Sequence, residues 1–585
     1  DQVEGFADTW AYLASKRGSG RLAYSKLLAR FNITLPQAMR WWDESSRNNA
    51  GINLSGAELS DAAIVENPYL LYECDRDQPE SIAFETIDQG AFPERAIAVK
   101  HPLTPPTKIT GPVDGRRLRA ATAAVLEEAA IKGHTLMSRA DIIAVLRKKP
   151  LSPSLPASDD QFEIHTAKLD PLIKEYQLED GKPAYQLDRL VVSRELIAST
   201  VKKRVNQGKR HTVEIDWLGE LDETFPGDKG ATRGSSEYLR RQEKAAALAE
   251  LSASRFSVLI GPAGTGKTTL LKFLCEAKPI ANRGILLLAP TGKARVRLQL
   301  STGLEAKTLA QFLRPQRYHE ATQSYHVIGD AERYSACKTV IVDEASMLTE
   351  EQLAALLDGL GGVERIILVG DPSQLPPIGP GRPFVDIVNL LEPECFAVNE
   401  PRIGKGYAEL TVGSRQKGKE RRDLEFAELF SGRAAGPAQD EIIACVTDGE
   451  VGPHLRICSW SSPSALATML PKVIGEELGV DLDNLEQSFA VQALGGNASG
   501  ASVYFNFWNS GPAADQWQIL SPVKGEAAGT IALNRLIQQG FRGETKRKAA
   551  LADRRFAKVP TPMGGDGIIY GDKVINLGNH RRRWV

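Results

Sequence analysis

Two hydrophobic rhythms divide this chain. From residue 118 a face recurs at Leu118, Thr122, Val125, Leu126 and Ala129, the three-to-four spacing of a helix laid on a core. Gly133 is placed to end that helix, and Ser138 followed by Asp141 predicts a capped start for a second, Ile142 to Leu146. Residues 116–205 therefore read as a small helical, winged-helix-like domain. A mixed N-terminal domain, 1–115, precedes it, with proline joints at Pro102, Pro105, Pro106 and Pro112. Residues 206–236 are polar and glycine-containing and read as a linker. After Glu237 the rhythm changes. A helical stretch, Tyr238–Leu251, runs toward a series of short, mostly apolar segments at Phe256–Ile260, Ile285–Ala289, Val340–Val342 and Ile366–Val369. Short apolar runs alternating with helical sequence predict an α/β domain whose parallel sheet is covered on both faces. This domain is expected over 237–385, with a small inserted hairpin subdomain about 310–337. A less regular α/β region follows over 386–585.

Composition narrows the class without naming it. The 585 residues carry 72 Lys+Arg against 73 Asp+Glu, with 42% apolar and 25% charged residues. That excludes a disordered chain, a collagen and a uniformly basic nucleic-acid coat. No apolar run reaches the ~18 residues of a membrane span, so no membrane partner is expected. Six scattered cysteines without a CxxC pair argue against a zinc module and for a reducing, cytoplasmic setting.

The chemistry enters at the ends of the apolar runs. Phe256–Ile260 leads into Gly261-Pro262-Ala263-Gly264-Thr265-Gly266-Lys267-Thr268-Thr269 and then into helical sequence. This is the strand–loop–helix context in which a glycine-rich loop closes its backbone N–H groups around a phosphate chain. Lys267 is expected to reach the β- and γ-phosphates of ATP, and Thr268 to hold Mg²⁺. Val340–Val342 is followed by Asp343 and Glu344. Asp343 is placed to hold Mg²⁺ through water, and Glu344 to orient or deprotonate the attacking water. Ile366–Val369 ends in GDPSQLPPIGPG, which puts Gln374 where a γ-phosphate sensor would sit.

Together these motifs resemble the RecD-like group of superfamily 1B DNA helicases. The resemblance is carried by APTGKA (289–294), by GDPSQLPPIGPG (370–381) and by the pair Arg415-Gln416. Further on it rests on QILSPVKGEAAGTIALNRLIQ (518–538) and GDKVIN (571–576), and upstream on NPYLL (67–71) and GHTLMSRADI (133–142). It implies two RecA-like motor domains behind a mainly helical N-terminal region, with ATP and Mg²⁺ as cofactors. It also implies roles for single residues: Gln242 reading adenine, Arg415 as an arginine finger, and Pro290, Thr291, Gly292 and Lys293 against single-stranded DNA. The activity implied is ATP-driven movement on single-stranded DNA, 5′→3′, with unwinding at a fork, in repair or recombination. Alternatives from other classes are a DNA-stimulated regulatory NTPase subunit and an RNA helicase. Family members continue past the equivalent of Val585 with further motifs, so the sequence is expected to be a truncated record. The N-terminal stretch 79–92 lacks the paired glycines of the family's helix-hairpin-helix and is expected to serve protein partners instead.

Local basic clusters are candidate phosphate contacts: Arg116-Arg117-Leu118-Arg119, Lys202 to Arg210, Lys546-Arg547-Lys548, Arg554-Arg555 and Arg581-Arg582-Arg583. Tyr318, His319, Tyr325 and His326 are placed to form a hairpin that could stack on bases.

Overall fold

A computed structural model describes residues 11, 19–52, 59–100, 109, 111–208, 210–224, 236–262, 264–314, 316–329, 331–397, 400–411, 422–430, 437–448, 454–481, 483–500, 502–551 and 560–574. The chain divides into two compact units, 1–435 and 436–585.

In the first unit, short helices between Ser19 and Lys100 precede α1 (Gly115–Ile131), β1 (Met137–Ser138), α2 (Arg139–Lys148), α3 (Asp159–Leu169), β2 (Ile173–Gln177), β3 (Pro183–Leu187) and α4 (Asp188–Asn206). The three strands form an antiparallel sheet in the order β1-β3-β2, which with the helices gives the winged-helix arrangement. The expected punctuation holds. Gly133 (φ +98°) lets its own N–H reach Ala130 O and the next N–H reach Ala129 O, both at 3.0 Å. The Ser138 side chain accepts from Asp141 N at 3.2 Å and opens α2. The core does not break at 115/116. Tyr24, Trp41, Tyr69 and Phe84 share one cluster with Val125, Leu146, Phe162 and Tyr185.

The stretch expected to be a linker contains a helix, α5 (Trp217–Thr224), because Trp217 and Leu221 are buried in the core of the following domain. Then come α6 (Ser236–Ala253), β4 (Phe256–Ile260), α7 (Lys267–Glu276), β5 (Ile285–Ala289), α8 (Gly292–Thr302) and β6 (Ala306–Thr308). After the hairpin β7 (Tyr318–His319) and β8 (Ser324–Tyr325) come β9 (Thr339–Val342), α9 (Glu350–Gly359), β10 (Arg365–Gly370), α10 (Pro383–Leu391), β11 (Ile403–Gly404) and β12 (Tyr407–Glu409). Seven strands form one sheet in the order β11-β12-β4-β10-β9-β5-β6, parallel except for the β11–β12 pair. Alternate strand residues go to opposite faces. Val258, Ile260, Val340 and Val342 pack with α4, α9 and α10, whereas Leu259, Ile341 and Ile367 pack with α6 and α7. Each such side chain contributes about 1.5–3 kcal/mol by leaving water. This is an α/β fold of the RecA-like type, and its sheet runs on to Glu409, past the 385/386 division read from the sequence.

The second unit packs α11 (Pro463–Leu478), α12 (Leu485–Gln492) and α13 (Thr530–Ala550) around Ile474, Phe489 and Phe541. The strands among its described residues are β13 (Asn497–Ser499) and β14 (Ser502–Tyr504), an antiparallel hairpin. Among the described residues no helix is long and apolar enough to cross a membrane.

Candidate functional site

Parallel register brings the C-terminal ends of β4, β5, β9 and β10 to one edge of the sheet, the edge where α/β folds bind ligands. The loop after β4 is closed by its glycines. A Cβ at Gly261 would lie 2.6 Å from Leu410 O and 3.0 Å from Thr265 Oγ1, so no larger residue fits there. Gly266 (φ +91°) opens α7 without a side-chain cap, leaving that helix's first N–H groups to a ligand. Thr265 is buried and donates to Pro262 O at 2.9 Å. Lys267 donates to the carbonyls of Gly261 (2.5 Å) and Pro262 (3.1 Å), so its ammonium lies over the start of the loop. Thr268 is half-buried, Thr269 is exposed, and Ala263 lies outside the described residues.

Asp343 leaves β9 with its N–H on Leu288 O at 2.9 Å, and its Oδ1 accepts from Glu344 N at 3.0 Å. It is buried. Burial first, and then the charge of Glu344, push its pKa up to about 6. Glu344 holds a left-handed conformation (φ +53°), which costs a non-glycine residue about 1–3 kcal/mol. The next turn, Ala345–Met347, is pressed against the end of β10. A Cβ at Gly370 would meet Ser346 N at 3.1 Å.

Lys267 is the hub of the cluster. Burial depresses its pKa, while Asp371, Glu344 and Asp343, in that order, oppose the depression. Sequence reasoning missed Asp371, although it directly follows the β10 glycine in GDPSQ. It also missed Arg297 on α8, whose charge reaches both Lys267 and Asp343. The expected sensor, Gln374, is exposed in the turn after Asp371, with its N–H on Asp371 O at 3.2 Å. The far end of that loop is fastened elsewhere. Gly381 N donates to Gly133 O at 3.1 Å and Glu350 N to Pro380 O at 3.0 Å. Nearby, Arg189 on α4 bridges Glu127 of α1 and Glu351 of α9.

Gln242 sits on α6, where its Nε2 donates to Tyr238 OH at 2.8 Å. The neighbouring Glu243 accepts from Thr411 N and Oγ1, both at 2.7 Å, and ties α6 to the chain beyond β12. Pro290, Thr291, Gly292 and Lys293 follow β5 on the same sheet edge, with Thr291 capping α8 through Ala294 N at 3.2 Å. Arg415 and Gln416 lie outside the described residues.

The donor set suits Mg²⁺. Thr268 offers a hydroxyl and Asp343 a carboxylate, the hard oxygens that this ion takes.

Two nucleic-acid expectations need correction. The RRLR cluster is consumed internally: Arg116 pairs with Asp114, Arg117 with Asp88 and Arg119 with Glu73, at 2.6–2.7 Å. The hairpin exists, with Tyr318 opposite Tyr325 and the rings 4.9 Å apart. Both tyrosines, however, are partly buried against the sheet core, while His319 is exposed. The hairpin base is fixed by a buried Arg317–Asp358 pair at 2.8 Å. Arg554, Arg555 and the Arg581–Arg583 run lie outside the described residues.

Comparison with known proteins gives the following. An AAA domain family model matches residues 237–423. An uncharacterized protein of Methanocaldococcus jannaschii is 26% identical over 573 residues, covering 89% of this chain and 44% of its own length. The ATP-dependent RecD2 DNA helicase of Deinococcus radiodurans is 30% identical over 371 residues, covering 59% of this chain and 48% of its own length. The chain thus spans less than half the length of either relative. A crystal structure of Bacteroides sp Pif1 with ADP-AlF4 is 19% identical, covering 41% of this chain and 56% of that one, at a TM-score of 0.26.

Proposed function

We propose that this chain is a RecD-like member of superfamily 1B and an ATP-dependent motor on single-stranded DNA that unwinds duplex at a fork. One observation carries the reading. Lys267, Asp343, Glu344 and Asp371 come from three separate strand ends and interact electrostatically at the single edge where the glycine loop opens.

The roles proposed for single residues are these. Lys267 exchanges its bonds to Gly261 O and Pro262 O for phosphate oxygens. The N–H groups at the start of α7 bind the same phosphates. Thr268 and Asp343 hold the Mg²⁺, which when bound neutralises charge on the leaving phosphates. Glu344 accepts the proton of the attacking water at its carboxylate. Gln374 reports the γ-phosphate, and Gln242 turns its amide from Tyr238 to the adenine. Arg415 supplies a guanidinium to the transferring phosphoryl group. Pro290, Thr291, Gly292 and Lys293 contact the strand. Each advance must offset about 1.4 kcal/mol of stacking per base-pair step. The RecD2 relative, an ATP-dependent DNA helicase by name, supports DNA as the track; 5′→3′ movement, a role in repair or recombination and a cytoplasmic setting are the family resemblance's part of the proposal. The N-terminal region is the surface for protein partners.

The test is ATP hydrolysis with single-stranded DNA or RNA, together with strand displacement on 5′- and 3′-tailed duplexes. DNA-stimulated turnover with displacement from the 5′ tail is expected. Turnover without displacement would support the regulatory NTPase, and RNA-only stimulation the RNA helicase.

A further inference from the structure

The phosphate site has a second lysine that the mechanism above does not use. Lys244 lies on α6, two residues after Gln242, and is only 9% exposed. Its Nζ is 3.2 Å, and its Cε 3.5 Å, from the position a Cβ would take on Gly266. It therefore sits against the residue from which α7 starts, while Lys267 lies over the first two residues of the same loop. Among the described residues its ammonium makes no hydrogen bond or ion pair. The acids near it are engaged elsewhere: Glu243 by Thr411, and Glu237 by Arg240 (2.6 Å) and Arg241 (3.3 Å). Burial lowers its pKa, the cations Arg240 and Arg241 lower it further, and Glu237 and Glu243 act against them.

A lysine whose side chain is mostly out of water and whose ammonium has no hydrogen-bonded partner is disfavoured, and folding alone gives no reason to keep it. It stands where a helix N-terminus already favours an anion. We propose that Lys244 is a second cation of the nucleotide site, contacting the phosphate chain of a nucleoside di- or triphosphate at the Gly266 end of the loop. The proposal rests on the phosphate-loop reading and extends it to a residue of α6.

The experiment is titration of the full chain with a fluorescent N-methylanthraniloyl-ADP, competition by tripolyphosphate, and thermal melting of the ligand-free protein. The variants are Lys244→Met, Lys244→Arg and Lys267→Ala. Lys244→Met is expected to lose at least tenfold in affinity for both ADP and tripolyphosphate, while its melting temperature rises because an unpaired buried charge is gone. Lys244→Arg should recover most of the affinity. Met and wild-type affinities within twofold, or a loss for ADP without one for tripolyphosphate, would overturn the phosphate contact. So would a lowered melting temperature with affinity intact, which would make Lys244 a structural support. If the wild type binds no ADP and Lys267→Ala changes nothing, the phosphate-loop reading itself fails, a result distinct from failure at Lys244 alone.

Discussion

The N-terminal helical region and the strand-end cluster handle charge in opposite ways. In the former, buried guanidinium groups are matched to carboxylates. Arg117 meets both oxygens of Asp88 at 2.7 Å, with Tyr69 OH on the same carboxylate, and Arg40 and Trp41 share Asp75. In the latter, Lys267 rests on backbone carbonyls, Asp343 and Glu344 crowd each other, and Lys244 makes no ion pair among the described residues, its nearby carboxylates Glu237 and Glu243 being engaged by other groups. The contrast separates charges used to build the fold from charges held back for a ligand. Removing one of the first kind should unfold; removing one of the second should silence.

The sharpest break of that contrast is Lys267→Ala. ATP turnover is expected to fall at least ~100-fold with an unchanged melting temperature; a phosphate-release assay beside a melt checks both. Asp88→Ala should do the reverse. Leaving Arg117 buried and unpaired should cost about 3–5 kcal/mol, read as a lower denaturant midpoint for the first unit. Glu344→Gln is expected to slow turnover ~100-fold while ADP affinity stays within twofold, which single-turnover kinetics beside a binding titration would resolve. The smallest effect is at Asp343. Its carboxyl holds a proton to about pH 6 when folded, against 3.8 for an ordinary aspartate, so the folded state is favoured below 3.8 and loses that advantage as pH rises through 6. Asp343→Asn should therefore raise the melting temperature at pH 8, by roughly 1 °C for each kcal/mol relieved in a unit of this size, and leave it unchanged near pH 4.

Much of this site was legible because strands buried on both faces are short, mostly apolar runs, and three of the four stop at a glycine or an acid. Phe256–Ile260 and Ile285–Ala289 fall where the pattern puts them. Elements that lacked such a run stayed hidden. β6 reads Ala-Lys-Thr, and β12 ends in Glu409, whose buried carboxylate accepts from Tyr407 OH at 3.0 Å. Trp217 and Leu221 sit in polar surroundings, and only tertiary packing makes them a helix. Asp371 was hidden for another reason. Gln374 drew attention as the polar residue of the proline loop, yet it is the aspartate three positions earlier whose charge reaches Lys267. Lys244 carried no signal in one dimension, since a lysine in LRRQEKAAA looks like any solvated helix face.

The hydrogen bond from Gly381 to Gly133 has a practical corollary. A fragment cut to begin at Ser236 would strip the loop after β10 of its mooring and leave Glu351 without Arg189, so whatever is measured on it would describe a differently sprung domain.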